Sequence, residues 1–240
     1  NIHLDTFSFR EFLDFKGVDY SDELARVSNR IEIARAKEEY LLWGGFYEVF
    51  TVEDALVKKE LLVSYAKNII YRDIVPRYGI RNSESIERLF FYLIGNAGAM
   101  LNYTTLATTF ELSDKTIKEY INYFEETFLL ERIERFHTKP KERIKSVKKV
   151  YLKDNGFLQV LPKLSSNLGT ALENAVFNTL SQKHESLTYL KDTYEIDFYA
   201  DKTLYQVSYD IREEKTKKRE LNSFGYFKKP HESCKLITYD

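Results

Sequence analysis

The run Glu195-Ile196-Asp197-Phe198-Tyr199-Ala200, followed after Asp201-Lys202-Thr203 by Leu204-Tyr205-Gln206-Val207-Ser208-Tyr209-Asp210, constrains this chain more than any other segment. Two β-rich runs joined by a short polar turn read as the strands of a hairpin. Upstream, Ala171–Leu180 has helical character and carries Glu173. A carboxylate on a helix, a second on a strand and a polar-x-polar pair on the next strand place Glu173, Asp197, Gln206 and Ser208 as one candidate site. The two carboxylates are candidate metal ligands, and Gln206 can add a neutral carbonyl oxygen. Ser208 carries no charge, so it cannot orient a water or offset phosphate charge as a lysine does. The plainer reading is that both acids are surface charges beside a helix and a strand.

The layout resembles the metal-dependent nucleases of the PD-(D/E)XK type. The resemblance implies a small mixed sheet of restriction-endonuclease-like type and an Mg²⁺ site completed by an acid-x-Lys pair. Gln206-Val207-Ser208 departs from that pair. The expectation is a nuclease-like domain whose catalytic site is vestigial, with Glu173 and Asp197 left as a weak metal site. Lys215 or Lys217 would supply the missing charge only if folding returned it to the site.

Composition bounds the rest. At 240 residues the chain has room for one large domain or two to three small ones, and 15% aromatics with only 9 Gly and 4 Pro describe a packed protein. A single cysteine, Cys234, excludes an intramolecular disulfide and a Cys-rich zinc site, which suits a reducing cytoplasm. No apolar run approaches the ~18 residues of a membrane span. The chain opens on Asn1 rather than Met, so a mature product or a piece of a longer protein is expected.

Three segments separate by pattern, and the expected fold class is multidomain α and α/β. Residues 1–82 read as helical. Ser8 with Glu11 is a capping box, Ser21-Asp22-Glu23 opens an interrupted helix toward Leu42, and Trp43-Gly44-Gly45-Phe46 ends it. A further helix over about Leu56–Ile74 places Leu61, Leu62, Tyr65 and Ile69 on one face and stops at Pro76. Residues 83–150 have the layout of a winged helix-turn-helix. Ser113 caps a helix with Ile117, Tyr120, Ile121 and Phe124 inward, leaving Lys115, Thr116, Lys118, Asn122 and Tyr123 outward to enter a major groove. Two strands, near Leu129–Phe136 and Lys148–Leu152, then flank a basic wing with Lys139, Lys141, Arg143, Lys145, Lys148 and Lys149 against Glu142 alone. Such a wing suits phosphate contact with double-stranded DNA, although a lysine-rich hairpin also serves to protect an edge strand. Residues 151–240 form the nuclease-like α/β segment, with a strand at Thr188–Leu190, a helix from Lys215 and a last strand at Lys235–Tyr239.

Taken in order, Ser8-Phe-Arg-Glu-Phe12, Tyr40-Leu-Leu-Trp-Gly-Gly-Phe46, Tyr71-Arg-Asp-Ile74, the winged helix, Leu172-Glu173, Glu195-Ile-Asp197 and Gln206-Val207 resemble the C-terminal two-thirds of archaeal-type AAA+ ATPases with a DUF4143 nuclease-like domain. The resemblance implies a lid-like helical segment, a missing P-loop ATPase domain as partner, and ATP with Mg²⁺ as cofactors of the parent protein only. The chain itself has no G-x-x-x-x-G-K-[ST], since Gly95-Asn-Ala-Gly98 lacks the lysine that reaches phosphates, so no cofactor is expected in it. The implied function is a regulatory, DNA-binding segment, with further copies of the chain as another partner. The alternatives are a metal-dependent DNA nuclease and a protein-docking module.

Overall fold

Helix α1 (Phe9–Phe15) begins where its sequence says it should: Ser8 Oγ accepts the Glu11 N–H while the Glu11 carboxylate accepts the Ser8 N–H. The computed structural model describes residues 5–161 and 168–239. Contacts divide these into two units, one of residues 5–95, 122–129 and 152–161, the other of 96–121, 130–151 and 168–239. The grouping differs from the expected segments 1–82, 83–150 and 151–240.

The first unit is helical. Asp22 caps α2 (Glu23–Ser28), and the expected interruption falls at Asn29, before α3 (Arg30–Trp43). Gly44 ends α3 at φ +74°, a left-handed value that glycine adopts without strain. Then come α4 (Tyr47–Thr51) and α5 (Ala55–Asn68), the latter capped by Asp54. Phe12, Leu13, Ala36 and Phe50 form a core that Phe7, Phe9 and Tyr40 extend with tilted ring contacts.

The expected stop at Pro76 does not occur. The chain passes through a π-helical stretch, Ile69–Ile74, into α6 (Val75–Tyr78), and Gly79 at φ +63° ends it. Proline lacks an N–H and crowds the carbonyl four residues back, and the wider π turn relieves both. The buried stripe is Leu62, Ala66, Ile70 and Ile74, so the expected Leu61, Tyr65 and Ile69 lie beside it. Both stripes are largely apolar, so periodicity alone does not choose between them. Helix α7 (Ser83–Gly95) buries Ile86, Phe90, Leu93 and Ile94 as expected.

The second unit is mixed α/β. Asn102 caps α8 (Tyr103–Phe110), and Ser113 Oγ accepts the Thr116 N–H at the start of α9 (Asp114–Glu126), where Ile117, Tyr120, Ile121 and Phe124 are buried. The sheet comprises β1 (Leu130–Arg135), β2 (Lys148–Leu152), β3 (Thr188–Lys191), β4 (Glu195–Ala200), β5 (Thr203–Ser208) and β6 (Ser233–Thr238), in spatial order β2-β1-β3-β4-β5-β6. β1 runs parallel to β3 and β5 to β6, whereas β4 is antiparallel to β3 and β5. The hairpin is as expected, turned by Asp201 and Lys202 at φ +45° and +59°. Helix α11 (Leu168–Ser181) carries Glu173, and α12 (Glu214–Phe227) makes the crossover to β6. Tyr151, Phe177, Tyr189 and Phe198 are fully buried and centre the core.

The wing requires a correction. Its two strands are β1 and β2, which belong to the same sheet as the hairpin, and the expected boundary at residue 150 falls inside β2. The loop between them folds into α10 (Pro140–Lys145), with proline in the first turn where its missing N–H is not needed. Among the described residues no helix is long and apolar enough to cross a membrane.

Candidate functional site

The hairpin register places Asp197 beside Gln206. Asp197 Oδ2 accepts the Val207 N–H at 2.8 Å, and Gln206 Oε1 accepts the Asp197 N–H at 3.4 Å. Helix α11 brings Glu173 to the same place, where its Oε1 accepts from the Tyr151 hydroxyl at 2.7 Å. Gly98, at φ +81°, passes so close that a Cβ there would lie 3.3 Å from Glu173 Oε1. The sequence-predicted residues Glu173, Asp197 and Gln206 therefore meet, and they line a cleft of ≈ 440 Å³ with Lys191, Glu195, Arg219, Glu220 and others. Ser208 is not among the lining residues, and its hydroxyl donates to the Asp210 carbonyl.

The group expected to be missing is present. Lys149 of β2 is only 4% exposed, and its Nζ lies 2.5 Å from Glu195 Oε1, 3.6 Å from Glu173 Oε1 and 3.8 Å from Asp197 Oδ1, over the Tyr189 ring. Burial pulls this ammonium toward neutrality, but Glu173, Asp197 and Glu195 outweigh it and the net shift is upward. The magnitudes agree: an ion pair near 4 Å is worth ~4 kcal/mol at an effective dielectric of about 20, so Glu173 and Glu195 together already exceed a desolvation penalty of several kcal/mol.

Charge balance then sets the protonation. Lys149, Lys191 and Arg219 face Glu173, Glu195, Asp197 and Glu220, three cations against four carboxylates. Lys191 pairs with Glu195 at 2.6 Å, and Arg219 binds Glu220 through Nε at 3.1 Å. Glu195 stays below the usual carboxylate range because Lys149 and Lys191 overcome its burial. Asp197 is left with the excess: burial and then the nearby Glu173 push its carboxyl up to about 8, against Lys149 and the Val207 N–H. Tyr151 is driven well above its ordinary value by burial and Glu173, so its hydroxyl remains a donor.

Divalent metal does not fit this arrangement. The amide oxygen expected to ligate it is turned to the Asp197 N–H, and the Lys149 ammonium lies where the Glu173 and Asp197 oxygens converge. Among the described residues no group of three or more His, Cys, Asp or Glu side chains is arranged to hold a metal ion. Neither Lys215 nor Lys217 lines the cleft, where α12 contributes Arg219, Glu220 and Ser223.

Lys149 was legible only indirectly. It sits two residues before Tyr151 on a strand whose last four residues are all buried. Reading 137–149 as the loop and strand of a wing that faces phosphate concealed it. Other cations of that stretch are also engaged: Glu134 accepts from Arg143 Nε at 2.7 Å and Lys148 Nζ at 2.8 Å, and Arg143 also donates to Ser186. Lys139, Lys141 and Lys145 are exposed. On α9, Lys115, Lys118 and Asn122 are exposed, Lys115 lying 3.8 Å from Glu119 and Lys118 over the Tyr103 ring, while Thr116 belongs to the helix cap.

Comparison with known proteins gives relatives. The chain is 31% identical to an uncharacterized protein of Methanocaldococcus jannaschii, the match covering 97% of this chain and 56% of the relative. It is 30% identical to an uncharacterized protein of Haemophilus influenzae, over 86% of this chain and 52% of the relative. The chain thus spans about half the length of these relatives. No solved structure matches it significantly. The expected membership of the AAA+ ATPases with a DUF4143 domain is overturned, because residues 34–168 match the model of a different family. That match contains Lys149 and ends before Glu173, Glu195 and Asp197. The chain belongs to the family described as domain of unknown function DUF8612.

Proposed function

We propose that this chain is a DNA-binding module whose second unit is nuclease-like in layout and does not cleave. The observation that carries the reading is the pairing, within that unit, of a carboxylate cluster neutralised by Lys149 with exposed cations on α9 and α10. Phosphate contact requires solvent-facing Lys or Arg, and Lys115, Lys118, Lys139, Lys141 and Lys145 meet that condition. Helix α9, following α8 and a three-residue turn, has the helix-turn-helix form that presents its outer face to a major groove. Cleavage needs a cation free to stabilise the developing phosphorane, and the Lys149 charge is already committed to three carboxylates.

Binding to duplex DNA is expected to weaken with salt, the logarithm of the association constant falling by about 0.9 per phosphate neutralised for each decade of salt. Replacing Lys139, Lys141 and Lys145 together by Ala reduces affinity for all sequences alike and makes that slope shallower. Mg²⁺ or Mn²⁺ leaves supercoiled DNA intact. Salt-independent binding, or metal-dependent nicking abolished by Asp197→Ala, would overturn the proposal.

A further inference from the structure

The geometry points to Lys149 as a resident cation that keeps divalent metal out of an otherwise oxygen-rich site, so that removing this one ammonium turns the cluster into a metal site. The inference concerns the same cleft as the proposed function, and metal titration without DNA tests it separately.

Three carboxylates approach one Nζ, at 2.5, 3.6 and 3.8 Å. Acid clusters on protein surfaces are common, but here the oxygens converge on a positive group that is itself only 4% exposed. Its Nζ lies over the Tyr189 ring, the Tyr151 hydroxyl donates to Glu173, and Gly98 passes close to that carboxylate. Glu173 and Asp197 therefore have partners, the Tyr151 hydroxyl and the Val207 N–H, that do not depend on the ammonium they approach. A hard divalent ion seeks oxygen ligands at ~2.0–2.6 Å, which small inward movements of Glu173, Glu195 and Asp197 supply once Nζ is gone. With Lys149 present, an incoming ion meets a fixed like charge at van der Waals range. With Lys149 absent, Lys191 and Arg219 alone face Glu173, Glu195, Asp197 and Glu220, and a divalent ion takes the place of the lost positive charge.

The test is Mn²⁺ titration, by calorimetry and by loss of the free-ion EPR signal, of the wild-type chain, Lys149→Met and Lys149→Met/Glu173→Gln. Methionine keeps the length of the lysine stem without its charge. The wild type is expected to show no saturable binding below about 1 mM, and Lys149→Met to bind at least about ten-fold more tightly. The added Glu173→Gln change reverses that gain. If Lys149→Met does not fold in metal-free buffer, Mn²⁺ at about 5 mM is expected to restore its circular dichroism and thermal transition. A folded Lys149→Met chain that binds Mn²⁺ no better than wild type rejects the inference, as does failure of Mn²⁺ to rescue an unfolded one. Sub-millimolar wild-type binding lost on Asp197→Asn rejects it equally.

Discussion

Two buried aspartates, one in each unit, face the same physical difficulty and solve it in opposite ways. Asp154 is 2% exposed, and its carboxylate accepts the Gly45 N–H at 2.8 Å and the Gly156 N–H at 2.7 Å, with Thr6 as a further donor. Burial raises it to about 6, against those three donors, so it is ionised at neutral pH and works as a fastener among backbone amides. A Cβ on Gly44 would fall 1.8 Å from its Oδ1, so the space is closed. Asp197 opens instead on a cleft, receives one backbone N–H, and has another carboxylate and an ammonium for neighbours. A buried acid saturated by main-chain donors has no capacity left for a ligand. One that still carries an exchangeable proton inside a cleft does.

The contrast is open to attack first at Asp154. Asp154→Ala leaves the Gly45 and Gly156 N–H groups without their acceptor and is expected to destabilise the fold by about 3–5 kcal/mol in urea unfolding at neutral pH. A loss below 1 kcal/mol would mean that Asp154 is not a fastener. Gly44→Ala probes the same closed space from the other side. A left-handed φ and a clash with the carboxylate are expected to take about 2–4 kcal/mol together. Tolerance of that alanine would show that the loop has room to move.

Asp197→Asn is expected to have the smallest effect at low pH, and its size depends on pH. A carboxyl raised from its ordinary value of 3.8 to about 8 holds its proton more tightly in the fold. Its favourable contribution is complete at low pH and is lost as pH rises through 8. Asparagine keeps the acceptor for Val207 and does not ionise. The variant should match wild type most closely below about pH 4, gain on it as pH rises toward 8, and hold that advantage without further change near pH 9. A wild type that gains on the variant as pH rises would show that Asp197 is an ordinary ionised carboxylate.

Much of this was written locally. The Ser8-x-x-Glu11 box, the Asp22 and Ser113 caps, the amphipathic α9, the Glu195–Ser208 hairpin and the helix bearing Glu173 depend on contacts within a few residues, and those the sequence determines by itself. It also indicated that Glu173, Asp197 and Gln206 share a site, because a hairpin register and a preceding helix leave few other arrangements. Only the tertiary structure decided the rest. Whether β1 and β2 form a separate wing or the edge of one sheet turns on the parallel pairing of β1 with β3, across more than fifty residues of chain. Whether Pro76 ends its helix depends on which apolar stripe finds a core. Whether Lys149 is a solvated charge or the centre of the site depends on three carboxylates from α11 and β4 that surround it only after folding. Composition reports how much charge a chain carries, but the environment of each charge is set by partners distant in sequence, and no local pattern encodes them.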